Sequence, residues 1–255
     1  MSQLHPPDPL KQTPARLVLI RHGESAGNVA RDAALAEGRR VVDIAARDCD
    51  VPLSALGERQ SQALGEWIRE RGETPAVVYS SPYVRARQTA ELMAQRALWN
   101  TAPRCDERLR EREFGMLDRL THSGIQARFP EQVEMRDRLG KFYYRPPGGE
   151  SWTDVVLRVR SFFAQMQREH AGQSIAIVSH QVVVLCMRYV IEAMNEHQIL
   201  TIDRQGDVAN CSVTSYAADA GSPNGLRLER YNEVTPMKEA GEAVTREPDV
   251  PVAPK

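Results

Sequence analysis

Four consecutive apolar residues, Leu17-Val18-Leu19-Ile20, give way at once to the polar tetrapeptide Arg21-His22-Gly23-Glu24. A short apolar run with β-branched members reads as a buried strand. The same pattern recurs at Val77-Val78-Tyr79, followed by Ser80-Ser81-Pro82, and at Ile175-Ala176-Ile177-Val178, followed by Ser179-His180. Ser212-Val213-Thr214-Ser215-Tyr216 alternates and predicts a fourth strand nearer a sheet edge. Between the strands the period changes. Ala63, Leu64, Trp67 and Ile68 form one apolar stripe ending near Gly72. A second helix is expected from Pro82 to about Leu98, proline being well suited to a first turn. Trp152, Val155, Val156, Val159, Phe162, Phe163 and Met166 follow i, i+3, i+4 spacing, which predicts a helix from Ser151 to about Arg168. Ser151 and Asp154 have the spacing of a capping box. From Val182 to Met194 the chain is apolar almost all round, as in a deeply buried helix. Strands alternating with helices predict an α/β fold, with a mostly parallel central sheet in a three-layer α/β/α arrangement.

The chain has 255 residues, enough for one sizeable core. A single domain is expected over 15–235. Flexible tails are expected over 1–14, which is polar with four prolines, and over 236–255, where Pro236, Pro248, Pro251 and Pro254 punctuate a polar stretch. A net charge of -1 gives no argument for a nucleic-acid or membrane partner. Cys49, Cys105, Cys186 and Cys211 are scattered without a CxxC pair, which argues against a zinc site or disulfide framework. With no signal-peptide pattern and no run of 18 apolar residues, a cytoplasmic setting is expected. Oligomeric state has no signature here.

The three polar motifs follow three strands, and in a parallel sheet such ends converge, where open α/β sheets bind ligands. Histidine is the side chain that is substantially neutral, and so nucleophilic, near pH 7. Arg21 beside His22 offers a planar fork suited to phosphate. The pattern therefore points to a histidine that attacks phosphorus. RHGESAGN at 21–28, LSALGERQSQALG at 53–65, SSPYVRARQTA at 80–90, LREREFG at 109–115, PGGES at 147–151 and IVSH at 177–180 together resemble the histidine phosphatase superfamily, also called the phosphoglycerate mutase-like family. The resemblance spans roughly 16 to 216 and implies the phosphoglycerate mutase-like fold. It implies that His22 is the nucleophile and that Arg21 and Arg85 hold the phosphoryl oxygens. His180 would complete the pocket as a protonated group, Asn28 would touch the phosphate, and Glu111, three residues before Phe114-Gly115, would be the general acid and then the base for water. Ser25 and Gln181, within or beside these motifs, are further candidate substrate-binding residues. Two arginines and a cationic histidine can neutralise a transferring phosphoryl group, so neither a metal nor a cofactor is expected.

Several positions depart from the family pattern. Gln181 stands where glycine is common after the second histidine, and Leu117-Asp118-Arg119 stands in place of a tryptophan-acid-glycine stretch. The connection around Arg39, Arg40, Asp43 and Arg47 is unusually charged. Mutases of the family carry phenylalanine-glycine-tryptophan before the leucine-serine, where this chain has Arg47-Asp48-Cys49-Asp50-Val51-Pro52. The reading favoured is a hydrolase of small phosphomonoesters. The alternatives are a cofactor-dependent phosphoglycerate mutase and a catalytically silent module that binds phosphorylated ligands. The segment 117–149 is expected to be a lid or insertion over the site. There Arg119, Arg128, Arg136, Arg138, Lys141 and Arg145 either read extra negative charge on a substrate or form a solvated face. His122, His170 and His197 have no motif support and are expected on the surface or in packing roles.

Overall fold

The computed structural model describes residues 13–246. Strands β1 (Arg16–Arg21), β2 (Val77–Ser80), β3 (Arg104–Cys105), β4 (Ser174–Ser179), β5 (Val213–Ala218) and β6 (Leu226–Glu233) form one sheet in the order β3-β2-β4-β1-β5-β6. The first four in that order run parallel, while β5 and β6 are antiparallel additions. Alternation along β1 splits its side chains between two layers. Leu17 and Leu19 join a core built by α6 (Trp152–Glu169), α7 (Gln181–Ile191) and α8 (Glu196–Gln205). Ile20 faces α2 (Ala55–Glu70), α3 (Val84–Arg96) and α9 (Thr235–Glu239) across the sheet. The three-layer expectation holds on this evidence. The strand over 213–218 is not the edge: β6, with Arg227, Glu229, Arg230 and Glu233 along it, takes that position. Charges on an outermost strand discourage pairing with other chains.

The helix over 152–169 starts where its cap predicts. Ser151 accepts from the Asp154 backbone N–H, and Asp154 Oδ2 accepts from the Ser151 N–H at 2.8 Å. Two expectations about the chain ends change. Thr13 is buried, and its carbonyl accepts from the Gly172 N–H at 2.9 Å. At the other end residues 235–246 are packed: Met237 is fully buried and Thr245 O accepts from the Asn210 N–H. A proline in the first turn of the short last helix and one buried methionine are enough to dock a stretch that reads as polar tail. The rest of both expected tails lies outside the described residues.

Residues 117–149 form α4 (His122–Arg128) and α5 (Pro130–Leu139) over a small core of their own, Phe114, Leu117, Leu120, Ile125 and Tyr144. This segment is stitched to the charged connection that follows α1 (Ala26–Ala36). The Val42 N–H donates to Arg119 O at 2.8 Å and the Thr121 N–H to Arg40 O at 3.1 Å. The two segments least familiar in the sequence are therefore bonded to each other.

Candidate active site

β1, β2 and β4 end side by side, and their C-terminal turns deliver the three polar motifs to one cleft. The cleft is lined by Arg21, His22, Ser25, Asn28, Arg85, Glu111 and Gln181, all foreseen from sequence. His180 packs its ring edge-on against His22 with centroids 5.1 Å apart. Gly23 has to be glycine: a Cβ there would sit 2.5 Å from the Gly57 carbonyl oxygen, so the turn after β1 lies directly on α2.

The tautomer of His22 is fixed by its neighbours. Its Nδ1 lies 2.7 Å from the Gly23 carbonyl oxygen, which can only accept, so Nδ1 carries the proton. The other nitrogen, Nε2, then holds the lone pair, and Arg85 Nε donates toward it at 3.3 Å. Burial, then the positive charges of Arg85 and Arg21, hold the His22 pKa well below its ordinary 6.5. Below the ring the His22 carbonyl accepts from Asn210 Nδ2 at 2.9 Å, which ties the turn down.

His180 differs from its expected charged state. It is fully buried, and burial together with Arg85, His22, Arg158 and Arg21 holds it well below 6.5 as well. An anion placed among these cations would favour its protonated form. Its Nε2 is 2.7 Å from Ser81 Oγ, and its Nδ1 is 3.9 Å from Glu111 Oε2. Glu111 is itself anchored: Oε1 accepts from the Arg112 N–H at 2.8 Å, and its carbonyl accepts from Arg158 Nη2 at 3.3 Å. Glu113, two residues further on, is exposed and accepts from the Tyr83 hydroxyl at 2.7 Å, outside the cleft. Arg87, two residues after Arg85, is exposed while Arg85 is buried.

Ser25 and Asn28 line the cleft but also cap α1, in a reciprocal box with Ser25 Oγ accepting from the Asn28 N–H at 3.1 Å. The N-terminus of this helix therefore opens on the phosphate cleft, where its dipole favours an anion. Gln181 donates through Nε2 to Asp207 at 2.9 Å. Arg21 donates to the Val208 carbonyl.

Three charged lining residues were not foreseen as site residues, Arg31, Asp48 and Asp118, and they stand there beside Arg119. Asp48 is the most consequential. Its carboxylate accepts from Arg85 Nη2 at 3.2 Å and lies 3.0 Å from Nη1. It occupies the very guanidinium a phosphate needs. No periodicity or motif marks it, because the contact bridges 37 positions. Of the basic residues in the insertion, Arg119 reaches the cleft; Lys141 pairs with Asp203 at 2.8 Å and Arg145 with Asp154. His170 takes a packing role against the Tyr79 hydroxyl.

A four-strand parallel core gathers a buried pair of imidazoles, two guanidiniums and a carboxylate at its strand ends, a set suited to phosphoryl transfer. Residues 17–233 match the model of the histidine phosphatase superfamily (branch 1), and the chain belongs to that family. It is 29% identical over 246 residues to a 6-phosphofructo-2-kinase/fructose-2,6-bisphosphatase of Gallus gallus, covering 93% of this chain and 47% of that one. With the Rattus norvegicus 6-phosphofructo-2-kinase/fructose-2,6-bisphosphatase 1 it shares 31% over 176 residues, 69% of this chain and 32% of the relative. The chain thus spans less than half the length of these curated relatives. Among solved structures, a mycobacterial glucosyl-3-phosphoglycerate phosphatase in complex with inorganic phosphate superposes with a TM-score of 0.66 at 25% identity, covering 87% of this chain and 99% of that one.

Proposed function

We propose that this protein hydrolyses small phosphomonoesters through a phosphohistidine on His22. The observation that carries the reading is the fixed tautomer: Nδ1–H on Gly23 O leaves the Nε2 lone pair beside Arg85 in a buried cationic cleft. In the first step Nε2 forms a bond to phosphorus as the bond from phosphorus to the ester oxygen breaks. Glu111, in its carboxylic acid form, gives its proton to the departing oxygen. Arg21, Arg85 and His180 share the charge on the three equatorial oxygens, and the α1 N-terminus adds to it. In the second step water attacks phosphorus, Glu111 takes the proton, and the P–N bond breaks to release inorganic phosphate. The protein's own cations supply the neutralisation, so full activity is expected in the presence of a chelator. A free exposed thiol at Cys105 supports a reducing, cytoplasmic setting. Opposite charges lining the cleft, Arg31 and Arg119 against Asp48 and Asp118, suit a polar substrate body over a flat apolar one.

The test is a rapid quench into alkali, where phosphohistidine survives, with a substrate labelled on phosphorus. Label on His22 that turns over as fast as phosphate appears supports the mechanism. Full turnover by the His22→Ala variant, or label on another residue, rejects it. Label passed to a second hydroxyl in place of water would make the protein a mutase.

A further inference from the structure

The motif PGGES at 147–151 has no part in the reaction described above. In the fold it lies along the segment that carries Glu111. Residues 110–114 belong to no helix or strand. Backbone without a ladder of its own is held by what bonds to it from outside.

Glu150 stands at the centre of those bonds. Its carboxylate accepts from Arg110 Nη2 at 2.7 Å and from the Glu113 N–H at 3.1 Å. Its own N–H donates to Glu113 O at 2.9 Å, and its carbonyl accepts from Arg112 Nε at 2.7 Å. The same carboxylate grips Arg158 of α6 in a fork, 3.0 Å from Nε and 3.1 Å from Nη2. Arg158 passes the hold on. Its Nη1 donates to Arg108 O at 2.6 Å and its Nη2 to Glu111 O at 3.3 Å. Gly149 lets the two segments touch through backbone, since a Cβ there would lie 2.5 Å from Glu113 O. The Arg158 and Glu150 side chains are 10% and 13% exposed, so their charges meet largely out of water. A buried ion pair adds little net stability over an apolar pair of the same shape, whereas a fork of two bonds fixes direction.

We propose, on the reading that Glu111 is the general acid, that Glu150 is its positioning residue. With Arg158 as its arm, Glu150 sets where the Glu111 carboxyl meets the departing oxygen. A general acid has to stand within hydrogen-bond reach of that oxygen, and a displacement of about 1 Å can cost roughly 10²-fold in rate.

The test is kcat/KM for an alkyl phosphate and for nitrophenyl phosphate in one preparation. This quantity ends at the departure of the first product, and the ratio of the two values cancels any loss of folded protein. Glu150→Gln should lower the alkyl value by roughly 10- to 100-fold and the nitrophenyl value by less than about threefold, since nitrophenolate leaves without a proton. Arg158→Lys keeps a charge near His180 but has no fork, and should move the ratio the same way. It decides alone if Glu150→Gln does not fold. In a Glu111→Gln background neither substitution should move the ratio by more than about twofold, because no acid is left to place. A ratio that either folded variant leaves unchanged, or that falls further in the Glu111→Gln background, overturns the positioning role. If Glu111→Gln by itself leaves the ratio unchanged, the acid reading fails and the positioning role with it. If Glu111→Gln moves the ratio and the other two do not, the acid stands and the positioning role alone is lost.

Discussion

Asp48 and Glu111 are both carboxylates at the rim of one cationic cleft, and their positions give them opposite effects on a phosphate. Asp48 holds Arg85 directly, so an incoming phosphate has to displace it. Asp48→Asn removes both the competitor and a like charge. The inhibition constant for inorganic phosphate should fall by about tenfold, the scale of a hydrogen bond to a charged group. A rise in that constant would mean that Asp48 positions Arg85 for the phosphate. Glu111 lies on the far side, by His180, where a leaving oxygen would depart. Glu111→Gln should slow hydrolysis of an alkyl phosphate by roughly 10²–10⁴, and that of nitrophenyl phosphate far less, since nitrophenolate leaves without a proton. Equal losses on both substrates would remove Glu111 from the acid role. His22 and Arg21 could be read from the chain because they sit at a strand end beside a glycine turn, whereas Glu111 came only through the family motif that ends in Phe114-Gly115. Asp48 could not be read, because what places it in the cleft is the fold of a connection without periodicity.

At the level of elements, the parts that could be read are those whose burial is periodic. The helix over 152–169 shows an unbroken apolar stripe and a capping box, and the structure keeps both. Ser151→Ala should cost about 1 kcal/mol in urea unfolding, the usual loss for a cap of this type. β6 left no such trace, because Leu226 is its one fully covered side chain and the rest of the strand is partly exposed and charged. The segment after it was missed for a similar reason, although it reaches the site. Gln60 Nε2 donates to Ala243 O at 2.9 Å, while Gln60 Oε1 accepts from the Glu24 N–H in the His22 turn. Asn210 bonds both Thr245 and the His22 carbonyl. Truncation after Val234 should therefore lower stability by about 1.5–3 kcal/mol, from the buried Met237 side chain alone. It should also reduce kcat, and a truncated protein with unchanged turnover and melting temperature would refute that link.

Across the whole molecule the two buried imidazoles couple folding to pH. His22 and His180 are both held well below 6.5, by burial first and then by Arg85 and the other cations around them. The unfolded chain takes up these protons near pH 6.5, and the folded chain refuses them until far lower. Above pH 6.5 neither state binds them and stability is untouched. As pH falls below 6.5 the unfolded state gains protons that the native state lacks. Each histidine then costs about 1.4 kcal/mol per pH unit down to its folded pKa. A phosphate dianion in the cleft reverses the balance, since its charge favours protonated His180, so binding should carry a proton into the protein. The melting temperature is therefore expected to drop between pH 7 and pH 5, and to drop less steeply with saturating phosphate. Calorimetry of phosphate binding near pH 6.5 in buffers of different ionisation heat should show net proton uptake. Proton release on binding, or a pH slope that phosphate leaves unaltered, would show that these imidazoles do not govern how the molecule meets its anion.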